Sequence, residues 1–153
     1  LIAEIGTDMS HWRTEKHFTG WLTLAPNNKI SGKRVLSSRT QPSANRAAAV
    51  LRRAAMSLTR SATALGAYYR RLAYRLGPPK AITATARKLA VLVYRVLRGD
   101  LTYRDPGATA YLQLHRTRLI NSLRRRAYEF GLSLINLETG EVLDHALVPL
   151  SVS

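Results

Sequence analysis

The sequence predicts a mainly α-helical fold: a compact multi-helix domain with one long basic amphipathic helix and a small C-terminal β-hairpin. Three observations lead to this class. A helical apolar period extends over residues 43–76, two further helical patterns come after it, and residues 132–143 alternate in strand fashion. The chain has 153 residues, enough for one domain with a sizeable core. No internal repeat or low-complexity linker divides it, so we expect a single domain over residues 1–153.

The first segments predict two short helices. Residues 1–5 are typical of a helix end that Gly6 stops, and Asp8 or Ser10 can cap the next helix. This second short helix is expected before Pro26, and a basic loop then continues to Pro42. The apolar face of the second helix consists of Phe18, Trp21, Leu22 and Leu24.

Residues 43–76 carry the strongest periodic signal and predict one continuous helix, ended by Gly77 and the two prolines after it. Apolar residues recur every three or four positions and mark a buried stripe. These residues are Ala47, Leu51, Ala54, Leu58, Ala62, Leu65, Tyr69, Leu72 and Leu76. Five arginines stay in phase on a single ridge away from the stripe: Arg46, Arg53, Arg60, Arg71 and Arg75.

Two more helices and a hairpin complete the predicted fold. One helix is expected over residues 80–97, and another from the turn at residues 105–107 to Gly131. Their inward residues are predicted to be Ile82, Ala86, Leu89, Val93 and Val96, then Leu112, Leu119, Leu123, Ala127 and Phe130. Arginines 124–126 fit either a helix-dipole role or phosphate binding, and both interpretations stay open. Residues 132–143 predict a β-hairpin around Thr139 and Gly140.

The charge balance predicts a polyanionic partner. Lys and Arg number 24 against 9 Asp and Glu, which gives a formal net charge of +15. Nucleic acid and an anionic membrane surface both fit such an excess, and a merely solvated basic face is the alternative. No carboxylate occurs between Glu15 and Asp100, so a two-metal carboxylate site cannot come from that region. The chain has no Cys, which excludes disulfides and thiolate metal sites.

Several catalytic motifs can be tested and set aside. The segment "SGKR" at residues 31–34 lacks the earlier glycine of a nucleotide-binding P-loop, and Arg34 stands where that motif needs a hydroxyl. None of the four histidines has a metal-ligand spacing, and no Ser-His-Asp arrangement is supported. They are His11, His17, His115 and His145.

Ser31 remains as a candidate nucleophile. It is next to Gly32, which lets backbone approach a sugar-phosphate strand, and close to Lys29, Lys33 and Arg34. Fixed cations would stabilise the charge that develops when a hydroxyl attacks a phosphodiester. The alternative is that Ser31 makes a turn in a loop that grips the DNA backbone. The residues alone favour this alternative.

Three segments resemble a known family: "LIAEIGTDMSHW", "FTGWLTLAPNNKISGKRVLSSRTQPSANRAAAVLRRAA" and "YYRRLAYRLGPPKAITATARKLAVLVYRVL". They are similar to the C-terminal transposase domain of the insertion-sequence 110/116/902 transposases, which are bridge-RNA-guided serine recombinases. The resemblance covers residues 1–100, and residues 101–153 form a helix and hairpin tail. Residues 24–26 and 31–32 correspond to the family's Leu-x-Pro and Ser-Gly motifs, and residues 51–52 to its Leu-Arg pair. Ala44 precedes Asn45 where the family commonly has Gly.

The resemblance implies that Ser31 becomes covalently joined to DNA during DNA transposition. An N-terminal RuvC-like domain, absent here, would supply four acids for Mg²⁺, so this chain alone is expected to bind no cofactor and to be inactive. The implied partners are DNA, a guide RNA and further copies of a full-length protein, in a bacterial, nucleoid-associated, cytoplasmic setting. The DNA-binding residues would be Lys29, Gly32, Lys33, Arg34, Arg39, Arg46, Arg52, Arg53 and Arg60.

Two other interpretations remain. A non-catalytic basic helical module that binds nucleic acid, as an inactive transposase remnant, would share the same charge pattern. A membrane-surface protein is the third, but the apolar stripe of residues 43–76 has no Phe or Trp to anchor in lipid. We therefore expect no membrane partner.

Overall fold

The computed structural model describes residues 1–42 and 44–143. The helices in this part are α1 (Ile2–Ile5), α2 (Glu15–Trp21), α3 (Arg46–Ser57), α4 (Ala64–Leu76), α5 (Pro78–Leu97) and α6 (Gly107–Glu129). The strands are β1 (Lys29–Ser31), β2 (Arg34–Ser37), β3 (Leu134–Ile135) and β4 (Val142–Leu143), and they pair as β1 with β2 and β3 with β4. The mainly helical class and the C-terminal hairpin are thus confirmed. The chain divides into two units, Leu1–Thr109 and Ala110–Ser153.

The core of the first unit forms where α2, α3 and α5 meet. Phe18 and Leu22 are fully buried, and burying a side chain of this size contributes about 1.5–3 kcal/mol. Alanines line the contact between α3 and α5, which lets the two backbones approach closely: Ala47, Ala48, Ala55, Ala86 and Ala90. Tyr94 of α5 stacks on Phe18 with ring centroids 5.7 Å apart. Leu24, in the segment between α2 and α3, is buried in the same core.

The ends of the first helices differ slightly from the sequence prediction. Thr14 caps α2 by accepting a hydrogen bond from the backbone N–H of His17 at 3.3 Å. Asp8 instead accepts hydrogen bonds from Ser10 and caps no helix. Helix α2 ends at Trp21, well before Pro26. The stop of α1 at Gly6, which has φ 71°, is confirmed.

The prediction of one continuous helix over residues 43–76 was wrong. Helix α3 ends at Ser57, a 3-10 turn occupies Leu58–Arg60, and α4 begins at Ala64. Hydroxyl side chains compete with the helical backbone here: Ser61 donates to the carbonyl of Leu58 at 3.1 Å, and Thr63 caps α4. The apolar period continues across the break, which is why the sequence did not reveal it. Of the predicted stripe, Ala47, Leu51, Tyr69 and Leu72 are buried, whereas Ala54, Ala62 and Leu76 are exposed.

Arg70 satisfies the carbonyls that the break leaves without helical partners. Its Nη1 donates to the backbone oxygens of Thr59 at 3.2 Å and Ser61 at 2.8 Å. The chain of the break also lies directly over Gly66: a Cβ at that position would be 2.4 Å from the Ser61 carbonyl oxygen. The turn between α3 and α4 is therefore a packed structure that depends on a glycine.

Helix α5 confirms the helix predicted over residues 80–97. Pro78 occupies its first position after Gly77, which has φ 83°. Within α5, Ala86 is fully buried, whereas Val96 is 44% exposed.

Helix α6 confirms the third predicted helix but not its buried face. Leu112, Leu119 and Leu123 are 52–54% exposed, and Phe130 just beyond the helix is 80% exposed. At about 100° per residue, Arg116 and Arg126 fall within about 40° of this row of side chains. The two arginines interrupt the apolar surface on both flanks, so the row is less suited to burial than its spacing suggested.

Candidate nucleic-acid interface

The basic loop predicted between α2 and α3 contains a β-hairpin. Strands β1 and β2 are antiparallel and are joined by the two-residue connection Gly32-Lys33. Gly32 has φ +57°, and positive φ at the first central residue is the feature that places Gly there in a type II′ turn. We call residues 27–39 the basic ribbon. The sequence predicts a loop here, whereas the structure forms two short strands of three and four residues.

The strand register places Ser31 directly opposite Arg34, and Ile30 directly opposite Val35. Cross-strand partners project to the same face of a ribbon, with Cβ atoms about 4.5–5.5 Å apart. Ser31 and Arg34 therefore share one face near the turn, and Ile30 and Val35 share the other. The register shifts between Lys29 and Ile30, which leaves the extra residue on β2.

The ribbon brings together six of the predicted site residues: Lys29, Ser31, Gly32, Lys33, Arg34 and Arg39. All six are exposed. The backbone N–H of Asn27 donates to the carbonyl of Arg39 at 3.1 Å and closes the base of the ribbon. Within residues 1–42 and 44–143, no ion pair involves the four cations of the ribbon. Their charge is therefore available to an anionic ligand.

Asn45 fixes the point where the chain re-enters the helical body. Its Oδ1 accepts from the backbone N–H of Ala48 at 3.0 Å, and its Nδ2 lies 3.5 Å from the carbonyl oxygen of Trp21. One side chain thus caps α3 and contacts the end of α2. This cap forms with Ala44 in front of it, at the position where the resembling family commonly has Gly.

The predicted arginines outside the ribbon lie on different elements. Arg46 and Arg53 are seven residues apart on α3 and share its exposed face, beside the half-buried Arg52. Arg60 lies on the 3-10 turn, and Arg71, of α4, has its guanidinium 5.6 Å from the Tyr68 ring centroid. Because the break separates α3 from α4, the prediction of one helical ridge of five arginines was wrong.

Three carboxylates of the first unit pair with arginines: Glu4, Glu15, and Asp100, whose Oδ2 lies 3.5 Å from Arg98 Nε. Glu15 Oε2 lies 2.6 Å from Arg95 Nε and joins α2 to α5, and the hydrogen bond and charge of Glu15 raise the pKa of Arg95. Glu4 pairs with Arg46 at 3.6 Å, but these side chains are 41% and 84% exposed, so this pair contributes little. Hydrogen bonds from the backbone and hydroxyl of Ser10 lower the pKa of Asp8.

Asp105 ties α4 to the segment that precedes α6. Its Oδ1 accepts from the backbone N–H of Ala64 at 3.1 Å and from the Tyr103 hydroxyl at 3.0 Å. Its Oδ2 accepts from the backbone N–H of Gly107 at 3.2 Å. Burial and the hydrogen bond to Asp105 raise the pKa of Tyr103. In the part of the chain that the structure describes, no three His, Asp or Glu residues cluster as metal ligands would.

The apolar residues of the ribbon are not among the functional residues that the sequence predicts. Ile30, Val35 and Leu36 are 62%, 54% and 65% exposed. A signal was present: three β-favouring or aliphatic residues occur within a segment that is otherwise polar and basic.

Comparison with known proteins places these elements in a family context. Residues 1–70 match the transposase IS116/IS110/IS902 family. The matched part includes α1 to α3, the whole basic ribbon and the first half of α4. The match supports the family that the sequence resembles and a transposase-related role, and this family implies interaction with DNA.

The resemblance in sequence extends to residue 100, whereas the transposase match ends at residue 70. No curated protein and no solved structure matches the chain. Among the described helices, none combines the length and the apolar character that crossing a bilayer requires.

Proposed function

We propose that the chain is a DNA-binding domain of a transposase and presents Ser31 to a DNA phosphodiester. The observation that supports this most directly is the register of the ribbon. Ser31 stands opposite Arg34 at the exposed end of a hairpin that lies within the segment matching the transposase family. A hydroxyl and a fixed cation on one face, free of ion pairs with described residues, suit an approaching phosphate.

The proposed step is nucleophilic substitution at phosphorus. The Oγ–P bond of a phosphoserine diester forms, the bond from phosphorus to one deoxyribose oxygen breaks, and that oxygen leaves as a hydroxyl. Arg34 and Lys33 would stabilise negative charge on the non-bridging oxygens. The serine proton needs an acceptor, and residues 27–39 contain neither a carboxylate nor a histidine. The acceptor would therefore come from elsewhere in a full-length transposase, where the family resemblance places a Mg²⁺-binding acidic domain.

The helical arginines would contribute affinity without reading sequence. Arg46 and Arg53 on one face of α3, with Arg52 and Arg60 nearby in the chain, would contact phosphates. Guide RNA binding belongs to the same proposal, since RNA carries the same phosphate charge as DNA. Association of full-length copies belongs to it because the family resemblance implies it.

A non-catalytic nucleic-acid-binding module is the second candidate, favoured by the lack of a proton acceptor on the ribbon. It predicts the same salt-dependent binding but no covalent product.

The deciding experiment introduces Ser31→Ala and, as a matched control, Ser38→Ala, into a full-length transposase that carries this domain. Ser38 is also exposed and lies just after β2. We expect Ser31→Ala to abolish the covalent protein–DNA product on a denaturing gel and to leave non-covalent affinity within about twofold. Ser38→Ala should retain the product. A product that persists in Ser31→Ala would assign the nucleophile to another residue.

A further inference from the structure

The ribbon has an apolar face that the described helices leave uncovered. Ile30 and Val35 are cross-strand neighbours on the side opposite Ser31, and both are more than half exposed. Leu36, the extra residue of β2 at the register shift, is also 65% exposed. Among the described elements, β1 and β2 pack mainly on each other. An isolated two-stranded ribbon is only marginally stable in water, so a ligand that covers this face would also stabilise the strands.

The charges of the ribbon restrict what that ligand can be. Residues 27–39 carry Lys29, Lys33, Arg34 and Arg39 and no carboxylate. A second copy of the chain would bring two sets of four cations together, and lysines on an edge strand oppose such pairing. A ligand complementary to the ribbon therefore has both flat apolar surfaces and closely spaced negative charges. Nucleobases flanked by phosphates have this chemistry.

We infer that the Ile30–Val35 face binds bases of DNA at a locally unstacked or unpaired step, with the ribbon cations on the flanking phosphates. Aliphatic side chains act as wedges between base steps in proteins that open or kink DNA. A ribbon also presents its two faces to different parts of one ligand. Ser31 and Arg34 face a phosphate while Ile30 and Val35 contact bases. This inference rests on the proposed DNA-binding function and specifies its substrate class, which is DNA already opened or easily opened at the target step.

The test compares two DNA duplexes of equal length, one fully paired and one with a short central mismatch bubble. Their phosphate charge is the same, so the difference in affinity reports base contacts and the ease of opening. We expect the wild-type chain to bind the bubble about tenfold more tightly, the size expected for burying part of two aliphatic side chains. A fluorescent adenine analogue beside the bubble should brighten as it is unstacked.

The matched variants separate the contribution of the apolar face from that of the ribbon cations. The double variant Ile30→Thr/Val35→Thr keeps β-branched side chains and every cation but places hydroxyls on the apolar face. We expect it to lose most of the tenfold preference and to bind the paired duplex within about twofold of wild type. Val96→Thr is the control, since Val96 is a 44% exposed valine that belongs to α5 and not to the ribbon. It should behave as wild type.

Each outcome decides a separate point. Equal wild-type affinity for the two duplexes would overturn the proposed base contact by the Ile30–Val35 face. An undiminished preference of the double variant for the bubble would overturn it as well. A wild-type dimer that the double variant converts to monomer in sedimentation would identify a second copy as the occupant, and that also overturns it. Failure of the wild-type chain to bind either duplex in a salt-dependent manner would instead refute the proposed DNA-binding function itself.

Discussion

Gly66→Ala should destabilise this protein, although alanine normally improves a helix. Gly66 lies inside α4, where the chain of the α3–α4 break crosses it. A Cβ there would be 2.4 Å from the Ser61 carbonyl oxygen, 2.5 Å from its Oγ and 2.8 Å from the Leu58 carbonyl oxygen. Two of these three atoms belong to the backbone, so a side-chain rotation cannot relieve the clash.

The magnitude results from two opposing effects. Gly→Ala in a helix interior usually stabilises by about 0.5–1 kcal/mol. Forcing an extra methyl into a packed site destabilises by about 1–3 kcal/mol. Gly20→Ala is the matched control, because Gly20 lies in α2 with nothing within 4 Å of its Cβ position. The gain from replacing glycine in a helix is common to both variants, so we expect them to differ in free energy of unfolding by the overpacking cost, about 1–3 kcal/mol, with Gly66→Ala the less stable.

Urea denaturation followed by circular dichroism measures this difference, and thermal melting checks it. For a chain of this size, each kcal/mol shifts Tm by about 2–4 °C. If Gly66→Ala is as stable as Gly20→Ala, the break does not pack on α4 and the close approach at Gly66 is refuted.

Two further predictions concern tyrosines. Tyr94→Phe removes a buried hydroxyl that donates to the Trp12 carbonyl at 2.7 Å, and it should lower the free energy of unfolding by about 1–3 kcal/mol in urea denaturation. The control is Tyr74→Phe, at a 98% exposed tyrosine, which should change nothing measurable. The pKa of Tyr103 is raised above 10.0 by burial and by its hydrogen bond to Asp105. The neutral Tyr103 hydroxyl therefore contributes stability below pH 10, and this contribution is lost as the pH rises through the folded pKa. Tyr103→Phe should show a smaller loss of stability at alkaline pH. Identical stability profiles of the two proteins at alkaline pH would contradict this role of Tyr103.

The helix boundary that the sequence predicted best is the one between α4 and α5. Gly77 followed by Pro78 correctly separated α4 from α5, because a residue at positive φ and a proline at the first helical position are local requirements. The end of α3 at Ser57 was missed. Local hydroxyl bonds and the tertiary contacts of Arg70 and Gly66 stabilise that break, and a periodic apolar pattern carries no trace of them.

The sequence predicts which residues form the candidate site but not the geometry in which the structure arranges them. Charge and the Ser-Gly motif indicated Ser31 and its basic neighbours. That Ser31 faces Arg34, with Ile30 and Val35 behind them, depends on strand register, and a shift of one residue would move every side chain to the other face. The exposure of the leucines of α6 could not be predicted from the sequence either, since helical spacing shows which residues share a face and not whether anything covers that face.

The ribbon contributes almost nothing to the core of the helical body. Substitutions in the ribbon can therefore change the proposed function without changing the stability of the fold. A substitution at Ser31 or Arg34 removes no buried contact, so the altered chain would fold, persist and resist proteolysis as the original does. Cellular quality control acts on unfolded protein and would not detect such a change. Copies of this domain would therefore lose the chemistry proposed for Ser31 without losing their fold, whereas substitutions of the buried Phe18 or Leu22 would lower stability.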